Sequence, residues 1–278
     1  MTATFRADLH CHSTHSDGSY TPQELVQLAK KMKLNALAIT DHDSISAFSV
    51  ASENLPEDFQ LLPGVELSTT LGAIQIHVLG YAFQPESTLF QQFCIECRQQ
   101  RCDRNREILE RLRAHGLQIA EEEIMTTGDY VTAYGRPHIA AAMLKRGYVK
   151  SIAEAFKRYL GEHAPCYVPG RRYSVQEAIS VIHEADGKAI IAHPHLVPGT
   201  SVIEQLLQFD FDGLEAYYSQ FPAHVNQKWA RIAEERGWLA TGGSDFHGAM
   251  RPNVLLGSAV TPEPVFQVLW NHFIQRRT

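Results

Sequence analysis

Short apolar runs alternate with amphipathic stretches along most of the chain. Phe5 to His12 reads as a strand. Thr21-Pro22-Gln23-Glu24 predicts a helix start, with Thr21 as cap, Pro22 at the first helical position and Glu24 completing a capping box. That helix is expected to run to about Lys33. Ala36 to Thr40 reads as a strand and Ser44 to about Asn54 as a helix. Gln60 to Ser68 and Ala73 to Tyr81 read as two further strands, joined by a turn at Leu71-Gly72. Later, Val175 to Ala185 reads as a helix, Asp186-Gly187 as a turn and Lys188 to Ala192 as a strand. Gly213 to Tyr217 and Trp238 to Thr241 are predicted strands, and Pro222 to Arg236 and Pro264 to Arg276 predicted helices. Such alternation predicts an α/β fold with a parallel sheet, and its length favours a closed barrel over an open sheet. From about Glu86 to Glu162 only helical patterns occur. The expected organisation is a barrel over 1–85 and 163–278 with a mainly helical cap inserted over 86–162.

Composition narrows the class. Hydrophobic residues make up 44% of the 278, enough for a sizeable core. No apolar run approaches the roughly 20 residues of a membrane span, and Met1 to Ala7 lacks the apolar centre of a signal peptide. A cytoplasmic location is expected, with no membrane association and no stable protein partner. The formal net charge of −6 excludes a generic nucleic-acid-binding surface and leaves room only for a local basic patch. The five cysteines do not form a disulfide framework, and the Cys94-x-x-Cys97 pair has no second pair at zinc-ribbon spacing.

The 14 histidines matter for where they fall. His10 and His12 end the first strand, and residues two apart on a strand share a face, so both imidazoles can reach one ion. Asp17 follows in the next loop. His42 lies just past the second strand, Glu66 on the third and His77 on the fourth. His193 ends a later strand, and Asp245 and His247 close the series. A parallel barrel places its active site at these strand ends, so the nine residues predict one metal site. Nitrogen and oxygen donors suit Mn, Zn or Fe better than Cu(I), and imidazole argues against a purely Mg or Ca site. At about three ligands per ion the set could hold three. Three divalent ions would bring about +6 and the three carboxylates about −3, leaving a cationic site matched to phosphate. Ions so close would lower the pKa of a bridging water and give a hydroxide nucleophile at neutral pH.

The stretches Asp8-Leu-His-Cys-His-Ser-Thr-His-Ser-Asp-Gly18, Thr40-Asp-His42, Pro63-Gly-Val-Glu66, Ile76-His77, Ala192-His-Pro194 and Ser244-Asp-Phe-His247 together resemble the PHP family, named for polymerase and histidinol phosphatase. The resemblance implies a distorted barrel of seven βα units, similar to a TIM barrel, with two or three divalent ions. Mn²⁺ is expected first, with Zn²⁺, Fe²⁺ and Mg²⁺ as alternatives. It further implies that His10, His12, Glu66 and Asp245 hold one ion, that Glu66, His77 and His193 hold a second with Glu66 bridging, and that Asp17, His42 and His247 hold a third.

Within the insert, Tyr134-Gly-Arg-Pro-His-Ile-Ala140 and Tyr167-Val-Pro169 resemble the bacterial PHP subgroup that removes the 3′-phosphate from nucleoside 3′,5′-bisphosphates such as pAp, whose close relatives degrade short RNA from the 5′ end. The substrate implied is a nucleotide or short oligonucleotide. Arg136 suits a second phosphate, because its planar fork pairs bidentately. His138 would contact the scissile phosphate or protonate the leaving ribose oxygen. A helix-capping turn with Arg136 in a structural ion pair is the alternative. Arg172, Arg171 and Tyr81 are further candidates for substrate contact, against surface charge for the arginines and packing for Tyr81. Asp43 either orients a ligand or caps a helix. His15 and His195 lie beside ligands and would support them. Arg98, Arg101, Arg104, Arg106, Arg111 and Arg113, interleaved with Asp103, Glu107 and Glu110, read as a solvated helix with internal charge pairs or as a track for an RNA strand. A phosphatase for histidinol phosphate or another small monoester, and a nucleic-acid-binding module that keeps metals for structure, are the competing functions.

Overall fold

The computed structural model describes residues 4–124, 134–169 and 173–276. It opens with β1 (Ala7–Cys11), α1 (Pro22–Lys31), β2 (Ala36–Ile39) and α2 (Ser46–Ser52). The hairpin β3 (Gln60–Leu71) and β4 (Ile74–Tyr81) turns at Gly72, which takes φ +60 with open space around it. Next come α3 (Thr88–Ala114), α4 (Glu121–Ile124), α5 (Arg136–Lys145) and α6 (Ile152–Ala155), the last running into a π turn over Phe156–Leu160. The chain then forms β5 (Tyr173–Ser174), α7 (Val175–Glu184), β6 (Lys188–Ile191), α8 (Thr200–Leu206), β7 (Gly213–Tyr218), α9 (Ala223–Arg236), β8 (Leu239–Gly243) and α10 (Glu263–Ile274). The Thr21 capping box is present: Glu24 N–H donates to Thr21 Oγ1, and Thr21 N–H to the Glu24 carboxylate. Lys33, with φ 58, turns the chain away two residues after α1 ends. Neither α8 nor β5 is expected from the sequence.

The strands form a nearly closed barrel of seven in the order β1-β2-β3-β4-β6-β7-β8, with β5 beside the end of β3. The wholly parallel sheet expected from the alternation is corrected at one strand. β4 runs antiparallel to both β3 and β6 because a tight hairpin, not a helical crossover, delivers it. The seam between β8 and β1 is held by Asp245 N–H to His10 O at 2.7 Å and His12 N–H to Phe246 O at 2.9 Å. Gly243 permits this approach, since a Cβ there would lie 2.3 Å from His10 Cβ.

Apolar residues gather in three clusters. Leu9, Leu25, Leu37, Phe48 and Phe266 tie β1 and β2 to α1, α2 and α10. Val65, Phe90, Ile182, Leu214 and Trp229 tie the hairpin, β6 and β7 to α7 and α9. Ile108, Leu112, Ile139, Met143 and Leu160 form the third, away from the sheet. The 27-residue α3, about 40 Å long, serves two of them. Its Phe90 and Cys94 pack on the barrel, and its Ile108 to Leu112 turn builds the inserted cluster.

Candidate metal centre

The mouth of the barrel holds a pit of buried polar side chains. His10 and His12 point into it from the end of β1, and both are fully buried. Past β1, the loop Ser13 to Gly18 folds back under Asp41, whose carboxylate accepts from Ser13 N–H at 2.8 Å, Ser13 Oγ at 2.5 Å and Ser16 Oγ at 2.5 Å. Only glycine fits at position 18, where a Cβ would lie 2.0 Å from His12 O. This loop carries Asp17 into the pit. His42 follows β2, Glu66 sits mid-β3 and His77 on β4. His193 follows β6, and Asp245 and His247 follow β8. Asp43, His193 and Asp245 hold φ of 55, 25 and 57, backbone that non-glycine residues adopt at a cost and that clusters at functional sites.

Around Glu66 and Asp245 the donor atoms sit at ligand-to-ligand spacing. His10 Nε2 is 3.5 Å from Glu66 Oε2 and 3.5 Å from Asp245 Oδ1. His12 Nε2 is 3.2 and 3.4 Å from the same two oxygens. Atoms bound at about 2.1 Å to a shared ion stand about 3.0–3.4 Å apart. Glu66 Oε1 meets His77 Nδ1 at 2.7 Å and His193 Nε2 at 3.0 Å. Asp17 Oδ1 meets His247 Nε2 at 3.3 Å and His12 Nδ1 at 3.4 Å, and its Oδ2 lies 3.8 Å from His42 Nε2. Three groups thereby emerge that could each hold an ion: His12, Asp17, His42 and His247; His10, His12 and Glu66; and His42, Glu66 and His77. The structure brings together all nine residues expected at the site, with His12, His42 and Glu66 each shared between groups.

The fit to metal ions rests on orphaned atoms. His10 Nε2, His12 Nε2, His42 Nδ1, His193 Nδ1 and His247 Nε2 are buried without a hydrogen-bond partner. Leaving such groups unpaired costs about 1–3 kcal/mol each, so five in one pit call for something to bind. Charge points the same way. Burial would lower His12, but Asp245, Glu66 and Asp17 outweigh it and push its pKa up to about 9. His10 is likewise raised against its burial, by Glu215, Glu66 and Asp245. Burial dominates at His42 and takes it down to about 3, leaving a neutral ring. Asp17, Glu66 and Asp245 stay well below the usual carboxylate range despite burial, because histidines surround them.

Several residues of the site had no role assigned from the sequence. Glu215 on β7 is fully buried; it accepts from His10 Nδ1 at 2.9 Å and from His193 N–H at 2.8 Å. Tyr218 donates its hydroxyl to Asp245 Oδ2 at 2.7 Å, and Arg251 pairs with the same oxygen. A carboxylate in a strand otherwise written as Gly-Leu-x-Ala-Tyr-Tyr was the available signal, since a buried charge needs partners. Arg101, read as part of a solvated helix, is instead inside: its guanidinium pairs with Asp43 and donates to Ser68 Oγ at 2.7 Å. Asp43 also accepts from Ser68 N–H at 2.8 Å, so it orients the loop beside His42. Elsewhere on α3, Arg106 pairs with Asp103 at 3.1 Å and Arg111 with Glu107 at 2.5 Å, internal charge pairs on an exposed face.

The expected substrate contacts divide. Arg136 begins α5; its Nη1 donates to Leu160 O at 3.2 Å, and the guanidinium lies over the rings of Tyr167 and Phe156 at 5.3 and 5.9 Å. His138 accepts from Gly135 N–H at Nδ1, 3.1 Å, which puts its own proton on Nε2. Burial lowers its pKa, Asp17 opposes that shift, and Arg101 and His247 add to it. Tyr81 is corrected. It is 1% exposed and gives its hydroxyl to Leu9 O at 2.6 Å. Because β4 is antiparallel, the four steps from His77 to Tyr81 lead down into the barrel by about 13 Å, away from the mouth. Arg171 and Arg172 lie outside the described residues. His15 bonds Ser46 Oγ at 2.8 Å and His195 bonds Asn226 at 2.9 Å.

A model of the PHP domain matches residues 8–191. The chain belongs to the PHP family. Among PHP relatives, the 5′-3′ exoribonuclease Rnm of Escherichia coli K12 is 33% identical over 250 residues, covering 86% of this chain and 84% of that one. The 3′,5′-nucleoside bisphosphate phosphatase of Chromobacterium violaceum is 29% identical over 276 residues, covering 97% and 96%. A solved structure from Bifidobacterium adolescentis, assigned to the metal-dependent phosphoesterases, superposes with a TM-score of 0.84 at 27% identity over 97% of both chains. This PHP protein is accordingly a metal-dependent phosphoesterase, a hydrolase of phosphate esters with a His, Asp and Glu cluster able to bind metal. No helix among its described residues is long and apolar enough to cross a membrane.

Proposed function

We propose that this protein removes the 3′-phosphate from nucleoside 3′,5′-bisphosphates in the cytoplasm, with Mn²⁺ as the working ion. The observation that carries the reading is a half-buried arginine, Arg136, fixed at the first turn of α5, the same turn that carries His138. Ions held by His10, His12, Asp17, His42, Glu66, His77, His193, Asp245 and His247 would supply Lewis-acid charge and a water nucleophile of lowered pKa. The donor set of imidazoles and carboxylates suits Mn²⁺, Zn²⁺ or Fe²⁺. Arg136 meets the 5′-phosphate, and the aromatic rings of Tyr167 and Phe156 hold its guanidinium in place for a bidentate grip. His138 donates from Nε2 to the scissile phosphate. Its Nδ1 faces an N–H, a partner that opposes a second proton, so the geometry supports a hydrogen-bond donor rather than a general acid. Residues 86–162 act as a cap that carries this second phosphate contact.

The relationship to an exoribonuclease supports a second reading, trimming of short 5′-phosphorylated RNA at the same site. Steady-state kinetics with Mn²⁺ on a nucleoside 3′,5′-bisphosphate, a 5′-phosphorylated dinucleotide and histidinol phosphate separate the readings. The bisphosphate is expected to give the highest kcat/KM. Arg136→Ala is expected to cost about 2–3 kcal/mol in kcat/KM on the bisphosphate and little on an aryl phosphate. Equal losses on both would remove Arg136 from the 5′-phosphate.

A further inference from the structure

β7 supplies none of the nine expected metal ligands, yet two of its side chains reach into the pit. In a regular strand residues three apart face opposite ways. Here the pairing with β8 slips: Glu215 opposes Thr241, but Tyr217 opposes Gly242, leaving one extra residue on β7. A bulge of this kind re-aims the side chains beyond it, and bulges favour barrel rims. Leu214, Ala216 and Tyr217 all pack outward with α7 and α9, whereas Glu215 and Tyr218 both turn inward and are fully buried.

What they touch is specific. A carboxylate can only accept, so Glu215 Oε1 takes the His10 Nδ1–H and leaves Nε2, which faces Glu66 and Asp245, as the ring atom available to an ion. Glu215 Oε2 takes the N–H of His193, whose backbone stands at φ 25. Tyr218 holds Asp245 Oδ2, which aims Oδ1 at His10 and His12, and Gln220 in turn donates to the Tyr218 hydroxyl at 2.9 Å. Both Glu215 oxygens are thereby turned away from an ion and toward the residues that would bind one.

We infer that the bulged strand β7 is the positioning element of the metal centre: Glu215 and Tyr218 together preset His10, His193 and Asp245, so that one strand ties two ion positions to each other. Glu215 links them directly, because His10 faces one oxygen of Glu66, Oε2, and His193 faces the other, Oε1. The inference rests on the metal-site reading but not on the choice of substrate.

The test is a Mn²⁺ titration of metal-free protein by calorimetry, comparing wild type with Glu215→Gln and Tyr218→Phe. An amide offers one acceptor where the carboxylate offers two, so either His10 Nδ1–H or His193 N–H loses its partner. Glu215→Gln is expected to weaken Mn²⁺ binding about 10–100-fold at two ion positions. Tyr218→Phe is expected to weaken it about 3–10-fold. Circular dichroism of the metal-free variants shows whether they fold. If Glu215→Gln does not, Tyr218→Phe decides alone. Binding within twofold of wild type in every folded variant overturns the inference. A wild-type protein that takes up no divalent ion overturns the metal reading itself and this inference with it.

Discussion

In the pit, several of the expected ligands are propped by further buried side chains. His10 leans on Glu215, Asp245 on Tyr218 and Arg251, and the Asp17 loop on Asp41. At the cap edge, Arg136 and His138 come from a single helical turn and lean on one carbonyl, two rings and one N–H. The pit draws its ligands from strands far apart in the chain, so any one of them can shift only if the barrel shifts. The cap edge can be rewritten by changing one turn. The chemistry is therefore built where the fold is over-determined, and the choice of substrate is built where it is local.

The comparison breaks most sharply at Glu66, which touches His10, His12, His42, His77 and His193. Glu66→Ala should lower kcat by roughly 10³-fold or more, about 4 kcal/mol of transition-state stabilisation, on any phosphate ester. A bisphosphate-selective loss would assign Glu66 to specificity instead. Arg101 joins the two regions, since α3 carries it from the cap cluster to Asp43. Arg101→Met leaves the Asp43 carboxylate buried and unpaired, a change expected to cost about 3–5 kcal/mol by urea unfolding. A cost below about 1 kcal/mol would mean that the pair holds nothing together.

Protons compete with metal in the pit but not at the cap edge. With His12 raised to about 9, ion uptake must expel its proton, so Mn²⁺ affinity should climb about tenfold per unit between about pH 7 and 9. A flat profile in a chelator competition titration would remove that proton from the balance. The smallest effect is expected on the far side of the barrel. Burial would raise Asp212, but Lys188, Ala189 N–H and His183 outweigh it and hold it below the ordinary range. A carboxyl depressed in the folded state contributes its full stability above the unfolded pKa and loses it as pH falls through the folded value. Asp212→Asn should therefore cost about 1 kcal/mol at neutral pH, with the difference from wild type vanishing in acid and Mn²⁺ binding unchanged at every pH.

Much of the pit was legible because its ligands announce themselves. His10-x-His12 on a strand end needs only the two-residue period of a strand to share a face, and each later ligand sits beside an apolar run. Tyr81 was misplaced for a topological reason. Strand direction is not written in the periodicity, and a reversed β4 sends everything after His77 downward. Glu215 escaped notice because its role depends on a bulge, and a single extra residue leaves no mark in the alternation. Arg101 was hidden by its neighbours: a run of arginines and acids looks solvated throughout, although one of them turns inward.

The seam at Gly243 has a consequence for how the enzyme is made. His10 and His12 leave the ribosome well before the surface that closes against them, which belongs to β8. A nascent chain thus carries the His10-x-His12 segment without Asp245 and His247 until β8 has been made. The missing methyl group at Gly243 lets that later strand slide home, so hydrolytic power waits for β8.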